Sequence, residues 1–61
     1  MNTEEFIGLT LEEALKLASS KKLKFRVVKE DSKVFVGSYD FFTDRVNVEI
    51  EKGKIVQAGI G

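Results

Sequence analysis

The chain has 61 residues, with ten basic side chains balancing ten acidic ones and neither a cysteine nor a histidine. A chain of this length forms one domain, residues 1–61, that buries about 60% of its unfolded surface, so a deep catalytic cleft is not expected. Without histidine or cysteine the usual general base, the commonest zinc ligand and any disulfide framework are missing, and with lysines interspersed among glutamates there is no basic stripe for a nucleic acid; no enzyme activity, metal or other cofactor is expected.

The opening Met1-Asn2-Thr3-Glu4-Glu5 has neither the basic region nor the apolar run of a secretory leader, and no segment approaches the roughly 20 apolar residues of a membrane span. The expectation is a soluble chain with no membrane partner. It would be secreted or periplasmic if a leader has been removed upstream, and cytoplasmic otherwise.

Thr10-Leu11-Glu12-Glu13 has the form of a capping box, in which the Thr10 hydroxyl accepts from the Glu13 amide and the Glu13 carboxylate reaches back. A helix is predicted from there to about Lys21, with Leu11, Ala14, Leu15 and Ala18 forming its apolar stripe, widened by Leu17. At about three turns it is too short to stand alone in water and must pack on something.

Phe25-Arg26-Val27-Val28-Lys29 predicts the first strand, with Leu23, Phe25 and Val27 alternating with Lys24, Arg26 and Val28. Beyond it, Glu30 to Asp44 is long for a structureless connection, and such segments are usually functional. Asp31-Ser32 either turns a local hairpin that pairs Val34-Phe35-Val36 with the first strand or begins an extended excursion; both remain open. The crest of the connection falls at Gly37 to Phe42, a polar and aromatic tip. Arg45 at its base can hold an acceptor within it, Asp40 or Ser38, and of Phe41 and Phe42 one is expected to fold onto the core and the other to stay exposed.

Arg45-Val46-Asn47-Val48-Glu49-Ile50-Glu51 alternates cleanly, sending Val46, Val48 and Ile50 to the helix side and Asn47 and the glutamates to the wet side. Lys52-Gly53 predicts a hairpin turn, after which Lys54 to Ala58 returns antiparallel. The fold class is α+β: one helix packed on a small mixed sheet, with an exposed loop.

The order Ile7-Gly8, Thr10-Leu11-Glu12-Glu13-Ala14, Asp44-Arg45-Val46 and a closing Ile55-Val56-Gln57-Ala58-Gly59-Ile60-Gly61 resembles the potato inhibitor I family of chymotrypsin and subtilisin inhibitors. Arg26 to Asp31 and the spacing to Asp44-Arg45-Val46-Asn47-Val48 look closer still to the small bacterial and fungal peptidase inhibitors of the elastase-inhibitor type. The resemblance spans nearly the whole chain. It implies that the first strand and the Arg45 strand run parallel and that the connection between them is an inhibitory loop of Gly37, Ser38, Tyr39, Asp40, Phe41 and Phe42.

In that arrangement Tyr39 enters the protease's primary specificity pocket, Ser38 precedes it and Asp40 follows the scissile bond. Arg45, Asn47 and Gly61 support the loop from behind. Asn47 stands where plant members carry a second arginine, Ser38 where a threonine is usual, Phe42 where an arginine or similar polar residue is expected, and Thr43 where the bacterial type has proline. With Gly37 these imply a greasier and less constrained loop. The implied partner is a serine protease of chymotrypsin or subtilisin type, bound by a monomer. The competing reading is a non-inhibitory interaction module that uses the aromatic tip to bind a partner protein or a second copy of itself.

Overall fold

The computed structural model describes residues 3–35 and 41–61. Within them a single 3-10 turn (Glu4–Phe6) precedes the helix α1 (Leu11–Ser20), and the strands β1 (Lys24–Glu30), β2 (Lys33–Val34), β3 (Arg45–Glu51) and β4 (Lys54–Ile60) form one mixed sheet in the order β2-β1-β3-β4. This is a small α+β architecture, with β1 and β3 parallel and the other two pairs antiparallel. No helix among the described residues is long and apolar enough to cross a membrane.

The helix starts where its capping box requires. The Thr10 amide donates to the Glu13 carboxylate at 3.0 Å and the Glu13 amide to the Thr10 hydroxyl at 3.3 Å. At the other end Lys22 takes the left-handed conformation, φ 57°, so that the Leu23 amide turns back onto the Ala18 carbonyl at 2.9 Å. A Schellman closure of this kind usually has glycine in the left-handed position.

The core differs from the predicted stripe. Ala14 and Ala18 are buried and Leu17 packs against them, but Leu11 and Leu15 are 43% and 47% exposed. The two alanines let the helix backbone approach the sheet closely, which leaves the leucines on the flank of the contact. The space beneath is filled by Phe6, Val46, Val48, Ile50 and Ile55, with Phe6 tilted against Phe25 at a ring separation of 6.4 Å. Burying a side chain of this size contributes about 1.5 to 3 kcal/mol, and Phe6 comes from a turn rather than from a predicted element.

Asp31-Ser32 does turn a hairpin: Lys29 and Glu30 of β1 face Val34 and Lys33 of β2. Asp31 takes φ 53°, which its short polar side chain tolerates. The pairing continues through the Phe35 amide to the Val28 carbonyl, while Val36 lies outside the described residues. Two irregularities break the simple alternation. Val28 is inserted between Val27 and Lys29 of β1, and Val56 between Ile55 and Gln57 of β4. The second keeps Ile55 in the core while Val56 is exposed. Lys52 at φ 52° and Gly53 at φ 78° form the tight turn expected between β3 and β4, and β4 runs two residues beyond the predicted Ala58.

Candidate functional site

Parallel pairing of β1 with β3 has one consequence for function: both strands begin at the same edge of the molecule. Lys24 stands beside Arg45 in the register, and antiparallel β4 ends there, with the Gly61 amide on the Arg45 carbonyl at 3.0 Å. Residues 41–44, which lead into β3, are tied to both neighbours. The Lys24 amide donates to the Asp44 carbonyl at 2.7 Å and the Phe42 amide to the Gly61 oxygen at 3.3 Å.

Arg45 occupies the centre of this edge. By strand alternation its side chain belongs to the face away from the helix, opposite Val46, yet it is only 9% exposed and is the one charged side chain among the described residues that is buried. A buried cation needs partners to offset its lost hydration. Its Nε donates to the Gly61 oxygen at 3.0 Å, and its guanidinium carbon lies 4.5 Å from the centre of the Phe42 ring. Lys24 brings its Nζ to 4.6 Å from the centre of the same ring.

Asn47, two residues along β3 on the same face, accepts from Arg26 Nε at 3.0 Å. Its amide nitrogen closes the other side of Gly61, where an added Cβ would come within 2.9 Å of it and within 3.9 Å of the Phe41 ring. Gly61 therefore has little room for a side chain. Phe41 itself is 71% exposed.

Of the residues singled out from sequence, the structure brings together Phe41, Phe42, Arg45, Asn47 and Gly61. Gly37, Ser38, Tyr39 and Asp40 lie outside the described residues, and so does the expected tie from Arg45 to Asp40 or Ser38. The two phenylalanines split, but not as expected. Phe41 is exposed, and Phe42 is half-buried over two cations rather than packed into the core. Lys24 and Arg26 were missed by the sequence reading. The signal for them was present in the alternation of β1, which places both opposite Phe25 and Val27. It becomes usable only once the parallel register sets them beside Arg45 and Asn47.

No family model matches the chain, and no curated protein matches it. What this edge can do must be argued from its own atoms. Among the described residues no three acidic side chains gather as a metal site would require, and no pocket opens on the surface. The arrangement supplies instead a fixed base of Arg45, Lys24 and Phe42 at the start of β3, with the exposed Phe41 side chain at its rim.

Proposed function

We propose that the chain is a substrate-like serine protease inhibitor of the potato inhibitor I type, presenting Tyr39 to the primary pocket of a chymotrypsin-like or subtilisin-like enzyme. The observation that carries this reading is the buried Arg45, held by Gly61 and Phe42 at the foot of the proposed inhibitory segment. A loop already in the shape a protease binds loses little ordering entropy on association, so it binds tightly for its area. The parallel β1–β3 pair supports the finer fold assignment, because it roots both ends of the connection on one sheet.

In this mechanism Arg45 holds Asp40 or Ser38, on either side of the cleavable bond, with an Asp40 to Arg45 charge-assisted bond as the main tie, contributing about 1.5 to 3 kcal/mol where water is excluded. If the Tyr39–Asp40 bond is cut, the new amine stays beside the acyl-enzyme and religation competes with hydrolysis. Asn47, fixed by Arg26, and Gly61 keep the base in place. A tyrosine suits a deep apolar pocket and not one with a carboxylate at its floor, so trypsin is not the expected target.

Titration against chymotrypsin and subtilisin tests the proposal. Stoichiometric inhibition is expected, with Tyr39→Gly weakening it by about 30-fold or more, as for an interface hot spot, and Arg45→Ala turning the inhibitor into a faster-cut substrate. Mass spectrometry after long incubation should find any cut between Tyr39 and Asp40. The exposure of Phe41 favours the competing interaction module. That reading takes over if both proteases ignore the wild type while it self-associates through a contact that Phe41→Ser abolishes.

A further inference from the structure

We infer that Phe42, gripped by Lys24 and Arg45, is a positioning residue that sets the stem of the inhibitory segment by cation–π contact, in place of a second hydrogen-bonding arginine. The inference rests on the inhibitor reading for its function but on separate observations for its geometry. Phe42 is held twice: its amide donates to the Gly61 oxygen, and its ring lies within 4.6 Å of Lys24 Nζ and 4.5 Å of the Arg45 guanidinium carbon.

The face of a benzene ring is electronegative, and a cation held over it is attracted most strongly where water is excluded. Arg45, at 9% exposure, meets that condition. The Phe42 ring at 4.5 Å packs against one side of the Arg45 guanidinium and limits how far it can turn about its Nε bond to Gly61. Lys24 adds a tie from another strand, since its amide already holds the Asp44 carbonyl at 2.7 Å. Phe42 is thereby fixed to β1, β3 and the end of β4 together.

The position next in line for support, Asn47, is neutral and is occupied by Arg26 Nε. An amide there supplies no cation to the stem. The aromatic residue at 42 makes up for this by recruiting a lysine from β1, so what looks from sequence like a loosening substitution acts as a brace.

The experiment compares wild type, Phe42→Leu, Phe42→Trp and Lys24→Met in two measurements. The first, on the free protein, is NMR of the Lys24 Hε and Arg45 Hδ protons, which should be shifted upfield by the Phe42 ring and should move to ordinary positions in Phe42→Leu. The second is the rate at which chymotrypsin or subtilisin cuts the chain. Phe42→Leu, which keeps an apolar side chain of fair size but no ring, should be cut about tenfold faster than wild type, with Lys24→Met intermediate and Phe42→Trp restored to the wild-type rate. Ordinary shifts in the folded wild type would overturn the inference, as would equal cutting of wild type and Phe42→Leu. Upfield shifts together with faster cutting of Phe42→Leu, in a wild type that inhibits neither protease, would sustain the brace while ending the inhibitor reading. Inhibition by wild type with unshifted protons would do the reverse.

Discussion

The two ends of the sheet are closed by different chemistry. At the turn end, the Asp31 amide donates to the Ile50 carbonyl at 2.7 Å and the Asp31 carboxylate accepts from the Lys52 amide at 2.9 Å, stitching the β1–β2 turn to the β3–β4 turn. The Gly8 amide and Leu9 carbonyl pair with both backbone groups of Ile55 close by. These are short, mostly backbone bonds between compact turns. At the other end Arg45, Lys24 and Phe42 do the closing with long side chains, one of them a charge taken out of water. Both ends also carry backbone bonds, such as the Lys24 amide to the Asp44 carbonyl at 2.7 Å, but among the described residues only at the Arg45 end is a charged side chain buried beside them. The cost of burying that cation is offset by the Gly61 oxygen and the Phe42 ring.

The largest expected difference between the ends comes from Arg45→Ala. It removes a charge-assisted bond to Gly61 and uncovers Phe42, so chemical denaturation should show a loss of about 1.5 to 3 kcal/mol. Hydrogen exchange should quicken at Phe42 and Gly61 but not at Asp31 or Lys52. Quickening at both ends alike would mean that the ends are not separable.

Asp31→Gly is the corresponding cut at the turn end. Glycine keeps φ 53° without strain and deletes only the acceptor of the Lys52 amide, which is exposed, so about 1 kcal/mol should be lost and no protease phenotype should follow. A change in loop cutting in that variant would show that the two ends communicate.

Lys22→Gly should stabilise the protein. The left-handed residue that closes α1 would shed its steric penalty, partly offset by a more flexible unfolded chain, for a net gain of about 0.5 kcal/mol in unfolding free energy, read as a higher denaturation midpoint. Because Lys22 lies two residues before Lys24, the gain tests whether a firmer helix end tightens the Phe42 grip, read as slower cutting.

The smallest effect concerns pH at the helix start. Glu13 is held below its ordinary value of 4.5, first by the Thr10 amide and then by the Thr10 hydroxyl, which both donate to its carboxylate. A depressed carboxylate stabilises the fold at pH above its unfolded value, and that contribution is lost as pH falls through the lower folded value. Stability of wild type should therefore drop more steeply than that of Glu13→Gln below about pH 4.5, with no such difference near neutrality. Parallel curves through the acid range would remove the capping box from the account.

Much of the frame was legible from residues close in sequence. The capping box fixes where α1 starts, strict alternation gives β3 and its core face, and Lys52-Gly53 gives the last turn; each is a local pattern that the backbone obeys without reference to the rest of the chain. The leucines at 11 and 15 were misjudged because periodicity finds an apolar side of a helix without saying which part of it touches the sheet. The bulges at Val28 and Val56 were invisible because an inserted residue only shifts the alternation. At the candidate site, Arg45 was legible from its place at the base of the connection and Asn47 through a family resemblance, while Lys24 and Arg26 stood out only as the polar side of an alternating strand.

By itself, the order of residues determined a capped helix and a half-buried strand with its return. Tertiary structure alone decided that Arg45 is buried, that Phe42 lies over it and Lys24, and that Asp31 reaches Lys52. The physical reason is separation along the chain. Arg26 and Asn47 are 21 residues apart, as are Asp31 and Lys52, and Arg45 and Gly61 are 16 apart. Contacts at that distance exist only after parallel β1 and β3 have settled their register, and no local rule of propensity or periodicity contains that register.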